Sequence, residues 1–267
     1  MKKKYKYNLM TGGILTVTML LLILISVFYV PYDPDKMDST AKLAKASFHH
    51  IMGCDQFGRD IFSRVMKGCG NTFFVAAGTV LMGTVFGILI GSFTGYYGGI
   101  LDEVLMRIND TIFAFPSILL ALVFVSLLGG GKYQIILALG IAFIPSFARI
   151  VRSEFIRCRE LDYVKSARLS GAGSLRIMFV HILPNTRNVL FSAILIGFNN
   201  AVLAESGMSF LGIGVQPPEA SLGRMMSEAQ TYLLTRPSMA LFPGLMILWM
   251  VLGFALLGEG ISERQTG

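Results

Sequence analysis

Charge is what this sequence has least of. Only 15% of its 267 residues are Asp, Glu, Lys or Arg, where a soluble domain carries about 25%. The charges are also uneven, and long stretches have none. That is too little to cover a soluble surface of this size. Cysteine is scarce too. Cys54, Cys69 and Cys158 form no CxxC pair, and no Cys/His cluster has zinc-site spacing. They read as three unrelated thiols, and a Cys54–Cys69 disulfide does not follow from sequence. A phosphate-binding GxxxxGK[ST] loop is missing as well. The one Gly-Lys pair, Gly131-Lys132, is followed by Tyr133 and lacks the upstream glycine. There is no HExxH, no nucleophile–base constellation and no TVGYG-type filter. These absences count against a membrane-embedded enzyme, an ATPase within this chain, and a stand-alone channel.

What is present is long apolar sequence, 54% hydrophobic overall. Leu9 to Val30 is an uncharged run of 22 residues behind Lys2, Lys3, Lys4 and Lys6. As a helix it spans about 33 Å, enough for a hydrocarbon core of about 30 Å. It ends in Phe28-Tyr29-Val30-Pro31 rather than a small-residue cleavage site, so it reads as an uncleaved anchor. Five further charge-poor runs follow: Gly68–Leu101, Thr111–Gly131, Tyr133–Ala148, Asn188–Ala204 and Pro237–Gly258. The second run carries Gly83, Gly87, Gly91 and Gly95. Glycines four apart share one helix face and predict close approach of another helix. The expectation is an all-α integral membrane protein of six transmembrane helices with a cytoplasmic coupling-helix loop. Its parts are residues 1–30 (N-tail and first helix), 31–71 (extracellular loop) and 72–267 (a five-helix core with the loop at about 151–187).

The net charge of +7 suggests nucleic acid on a soluble protein. Here the basic residues flank apolar spans, which points to loops held on the cytoplasmic side. Segment 149–187 holds eight basic residues and three acids. With an even number of spans both termini share its side. Segment 31–67, placed outside, fits less well, with six basic residues against five acids.

Segment 149–187 also reads as a short helical stretch, a break at Gly171, a second helical stretch and a Pro184-Asn185 stop. Such a pair of surface helices suits docking of a soluble partner. Its sequence resembles the coupling motif of ABC importer permeases, with Ala167, Gly171, Leu183 and Pro184 at the family's offsets. Lys165, Ser166 and His181 depart from the general pattern in the manner of the dipeptide/oligopeptide/nickel branch. Gly53 to Arg64 resembles that branch's GTDxxGRDxxSR stretch, with Cys54 for Thr. Gly95-Tyr-Tyr-Gly-Gly99 with Asp102, Met106-Arg107 with Asp110, and Glu205 to Gly214 resemble three further stretches, and Leu222 stands where Trp is expected. Only seven residues follow Gly260, fewer than the tail the resemblance implies.

The resemblance covers residues 31–260 and implies a permease subunit of an ATP-driven importer in a bacterial or archaeal cytoplasmic membrane. It implies no cofactor in this chain, with ATP and Mg bound by two partner ATPases. It further implies a second permease, most simply a different chain, and an extracellular or periplasmic solute-binding protein. Tyr163, Val164, Ala167, Arg168, Gly171, Ala172 and Pro184 are the expected ATPase-coupling residues. Glu205, Ser209 and Phe210, at the end of the fifth span, are candidates for the pathway or its gate, because an ionisable residue in a span is a functional candidate by default. Arg107 and Asp110, three apart on a helix, are expected to form a structural ion pair. His49 and His50 lack accompanying ligands with site spacing, so no metal is assigned. Peptides are the expected substrate and a nickel or metal chelate the alternative, with a stand-alone carrier as the reading of another class.

Overall fold

Glycine and proline decide where the apolar runs break. The computed structural model describes residues 2–266, with side chains over 6–263. The side chains of Lys2, Lys3 and Lys4 lie outside that range. Among the described residues ten α-helices follow one another: α1 (Lys2–Phe28), α2 (Ile61–Tyr97), α3 (Gly99–Phe113), α4 (Ser117–Leu128), α5 (Lys132–Arg159), α6 (Asp162–Leu169), α7 (Ser174–Arg176), α8 (Arg187–Phe210), α9 (Leu222–Ala229) and α10 (Ser238–Thr266). Among the described residues there is no strand, only an isolated bridge between Cys54 and Asp60. Five helical stretches among the described residues are long and apolar enough to cross a membrane, and the pair α3–α4 makes a sixth if counted together.

That third span differs from the expected straight run over 111–131. Its two helices meet at 86°. The cause is Pro116: it lacks an N–H, and its ring keeps the preceding residue out of the helical region. The other corrections are extensions. Residues 61–71, expected in the loop, are the first turns of α2, which starts at Asp60 because its carboxylate accepts from the Ser63 N–H. Helix α5 runs past Ala148 to Arg159, carrying its arginines onto the helix.

The glycine face holds. Helices α2 and α5 run parallel along it. A Cβ on Gly83 would stand 3.1 Å from Phe143 Cβ, one on Gly87 would overlap Phe147, one on Gly91 the Ala148 carbonyl, and one on Gly95 would lie 2.6 Å from Phe155 Cβ. Side chains longer than a hydrogen would separate the helices. Helices α1 and α10 pack antiparallel in the same manner, with Gly12 against Leu256–Leu257 and Gly260 against Leu9.

At one end of the bundle, residues 29–60 are held by charge. Arg59 Nε donates to Asp55 Oδ2 (2.7 Å) and its Nη2 to Glu228 Oε2 (2.9 Å). Arg64, 1% exposed, donates to the Pro34 carbonyl (3.1 Å) and lies within 3.6 Å of both carboxylates. The GCDQFGRD stretch is therefore a built knot joining this loop to α2 and α9. All three cysteines are free and buried, so Cys54 and Cys69 do not pair. Burial, with Asp60 and Asp55 nearby, pushes the Cys54 thiol up to about 11.

Candidate functional site

The opposite end carries the α5–α8 connection. Helix α6 is short and polar, and one residue anchors it. Val164 is fully buried among Val151, Phe155 and Cys158 of α5 and Ile177, Met178 and Ile182 beyond α7. The helix then ends on a glycine cap. The Gly171 N–H donates to the Arg168 carbonyl and the Ala172 N–H to the Ala167 carbonyl, both at 3.1 Å. This is the paired 5→2 and 6→1 pattern that needs a left-handed residue, and Gly171 has φ +82°. Ala167 and Ala172 pack on the same apolar cluster. Four of the expected coupling residues thus build one turn. Tyr163, Lys165, Ser166, Arg168 and Leu169 face outward, Leu169 90% exposed. The Arg168 guanidinium lies 5.9 Å from the Tyr96 ring at the end of α2.

Pro184 is not the helix stop expected of it. The chain passes from α7 through a π-helical turn (Ile177–Ile182) and a 3-10 turn (Leu183–Thr186) into α8 without a break. Pro184 has no N–H to offer the preceding turn, and the wider and tighter turns around it absorb that missing bond. Asn185 Nδ2 donates to the His181 carbonyl at 2.7 Å, so His181 serves the turn through its backbone.

Between this loop and the far end lies a cavity of about 560 Å³. Its walls are the α3–α4 elbow (Phe113, Phe115, Pro116, Ser117), α5 (Phe143, Ser146, Phe147) and α8 (Ile196, Gly197, Asn200). The lining is mostly apolar. Its polar side chains are Ser117, Ser146 and Asn200, and among the described residues none of its lining is ionisable. The volume falls in the range of about 300–1,000 Å³ usual for small-molecule sites. None of these residues was a site candidate from sequence, though Phe115-Pro116 continues the stretch that resembles the family. Asn199-Asn200 inside an apolar span was the available signal.

Glu205 and Ser209, expected at the pathway or its gate, do not line this cavity. Asn200, Leu203 and Ala204 face it, and Glu205, one residue further round the helix, points into the protein. There it is fully buried, accepting from Ser209 Oγ (2.7 Å) and Ser206 Oγ (3.4 Å). A buried carboxyl needs such donors. Ser209 Oγ in turn accepts from the Val215 N–H at 3.1 Å. The pair holds the segment after α8, which turns at Gly212 (φ +81°) and returns to α9, where Gly223 packs against the Ser206 backbone. Phe210 is partly exposed and lines no part of the cavity.

The Arg107–Asp110 pair is also corrected. Arg107 Nη2 lies 3.9 Å from Glu103, one turn earlier on an exposed face, while Asp110 accepts from Arg149 Nη2 of α5 at 2.8 Å. Each side chain finds a nearer opposite charge than the other.

The family described as "Binding-protein-dependent transport system inner membrane component" matches residues 87–266, which include the cavity and the whole α5–α8 connection. The chain belongs to that family. It is 35% identical over 266 residues to the dipeptide transport system permease protein DppC of Haemophilus influenzae, covering 97% of this chain and 90% of that one. It is 36% identical over 255 residues to the glutathione transport system permease protein GsiD of Pectobacterium atrosepticum, covering 94% and 84%. A solved chain of the MetNI methionine ABC transporter, in an inward-facing conformation, shares the fold with a TM-score of 0.59 at 21% identity over 75% of this chain and 95% of that chain. This permease is a translocation subunit of an ABC importer and a multi-pass protein of the cytoplasmic membrane. It works with other subunits of such a system and with a solute-binding protein.

Proposed function

We propose that this permease forms half of a translocation path for di- and oligopeptides, driven by separate ATPase subunits that dock on α6. One observation carries the reading. The cavity wall and the exposed, glycine-capped α6 are joined through a single helix, α5, whose Phe143 and Phe147 line the cavity and whose Phe155 seats α6. Relatives named for dipeptide and glutathione transport share short-peptide chemistry. A lining of apolar and neutral polar groups suits a substrate whose side chains vary. Two permeases, most simply unlike chains, would enclose the path, with two ATP-binding subunits holding ATP and Mg and a binding protein outside. The chain itself would carry no cofactor.

The α6 end would face the cytoplasm with both termini, and residues 29–60 would lie outside. The basic surplus of segment 149–187 supports this. The awkward basic count of the outer loop is eased by Arg59 and Arg64, which are neutralised within the protein and so are not free loop charges.

Two experiments test the reading. In a pull-down from detergent-solubilised membranes, wild type is expected to retain an ATPase and a second permease. Gly171→Arg is expected to lose the ATPase alone, because a side chain at φ +82° breaks the cap while nothing else surrounds the site. Absence of any ATPase from both samples would overturn the proposal. In the reconstituted importer, Asn200→Trp is expected to lower dipeptide uptake by about tenfold or more by filling the cavity, with the complex still assembled. Uptake at the wild-type rate would place the path elsewhere.

A further inference from the structure

Helix α3 buries little of itself. Of its 15 residues only Asn109 is buried. Ile100, Val104 and Ile108, a row at four-residue spacing, are all more than half exposed. Packing within this chain therefore does little to fix it. Both its ends are joints. Gly98 and Gly99, at φ +67° and +62°, separate it from α2, and Ala114–Pro116 separates it from α4 at 86°. What fastens it is charge. Arg152 of α5 donates to both oxygens of Asp102, from Nε and Nη2, each at 2.6 Å. A second, single bond joins Arg149 to Asp110, and the Arg149 guanidinium lies 4.2 Å from the Phe113 ring.

The two pairs are not equal. Asp102 and Arg152 are 18% and 32% exposed and meet in a two-pronged geometry, whereas Asp110 and Arg149 are 62% and 49% exposed. Forked, partly desolvated pairs are stronger and directional, and exposed single pairs are weak. Arg152 also sits where force would arrive. It lies between Val151 and Phe155, which help seat Val164 of α6. Its backbone abuts Gly91 and Gly95, so α5 moves with the end of α2. At its other end α3 delivers Phe113, and then Phe115, Pro116 and Ser117, to the cavity wall.

We propose that Asp102 and Arg152 are a positioning pair that makes α3 a strut, carrying displacement of the α6 loop to the Phe113–Ser117 elbow of the cavity. This deepens the reading of α6 as the ATPase dock and of the cavity as the path, and rests on it. Helix α3 turns with α5 because the forked pair transmits rotation, while the glycine and proline joints let it do so without unfolding its neighbours. Neither residue touches substrate.

The test uses the whole importer in proteoliposomes, with ATP hydrolysis and uptake of tritiated dialanine measured on the same preparation. Asp102→Asn is expected to keep hydrolysis within about twofold of wild type and to lower uptake by about tenfold, so that transport per ATP falls. The exchanged pair Asp102→Arg with Arg152→Asp is expected to regain most of that loss, which assigns it to the pairing, while the fall in transport per ATP is what a merely structural defect would not produce. Asp110→Asn is expected to change uptake by less than about twofold. Uptake unchanged in Asp102→Asn would overturn the proposal. So would a proportional fall of uptake and hydrolysis with no recovery in the exchange. A wild-type importer that hydrolyses ATP with no uptake would overturn the peptide-path reading first and, with nothing left to transmit, this one too. With wild-type uptake intact, either overturning result in the variants strikes only the strut and leaves the peptide-path reading standing.

Discussion

Leucine in place of Gly91 is expected to remove most of this permease from the membrane fraction. The position of a Cβ there overlaps the Ala148 carbonyl and lies 2.7 Å from Val151 Cβ and 2.9 Å from the Arg152 nitrogen. These are backbone or first side-chain atoms of α5, and none can rotate away. The helices would have to part, and the seam is continuous through Gly83, Gly87 and Gly95. Overpacking costs about 1–3 kcal/mol where side chains can yield, and more where backbone must move. A cost of about 3 kcal/mol or more is a large share of the roughly 5–15 kcal/mol that holds a domain folded. Parting α2 from α5 would also displace Phe143 and Phe147, one wall of the cavity. Membrane abundance and the melting temperature of the solubilised protein measure the effect. Gly13→Leu is the control, because a Cβ on Gly13 has nothing within 4 Å. Equal abundance and melting for wild type and Gly91→Leu would mean that the seam is looser than its geometry.

Alanine at Glu228 is expected to be nearly as damaging, for an electrostatic reason. Glu228 accepts from Arg59 at 2.9 Å and Arg224 at 3.2 Å and lies 3.5 Å from Arg64. Its removal leaves three guanidiniums, two of them almost wholly buried, with Asp55 as their chief remaining carboxylate. Breaking one side of a buried pair costs about 3–5 kcal/mol, because the remaining charge stays desolvated. The damage should be local at first, freeing residues 29–60 from α2 and α9. Limited proteolysis within 29–60 should quicken markedly in Glu228→Ala, while cleavage near α6 should not. Adding Arg64→Leu should restore part of the protection, since it removes the worst stranded charge. Unchanged proteolysis in Glu228→Ala would show that the loop is held by its backbone bonds alone.

The two effects differ in how visible their causes were. The glycine row at Gly83, Gly87, Gly91 and Gly95 is a periodic signal along one helix, and periodicity needs no knowledge of the partner. Only the structure names α5 as that partner. Likewise Ala167, Arg168, Gly171 and Ala172 were placed by motif, and they meet in one cap because cap bonds join residues three to five apart. Glu228 carried no such signal. Its partners Arg59 and Arg64 are more than 160 residues away, and the charge count of the outer loop only hinted that something neutralised them.

The same distinction explains where Asp110 and Glu205 sit. Arg107 and Asp110 were paired because they are neighbours in sequence, yet Asp110 prefers Arg149, brought beside it by the bend at Pro116. Glu205 stood out as an ionisable residue in a span, but a difference of one residue on a helix is about 100° of facing, and that angle decides between cavity and interior.

What the sequence by itself determined is everything that depends on local composition. Apolar length yields helices and their number, basic bias marks segment 149–187, and fixed spacings yield the seam and the glycine cap. The tertiary structure alone decided which helix meets the glycine seam, which carboxylate each arginine takes, that Glu205 is buried, and that α3, α5 and α8 enclose a cavity. The reason is physical. Hydropathy and helix propensity are summed over adjacent residues, whereas a charge or a cavity wall is defined by whatever side chains the fold brings within a few ångströms, regardless of their separation along the chain.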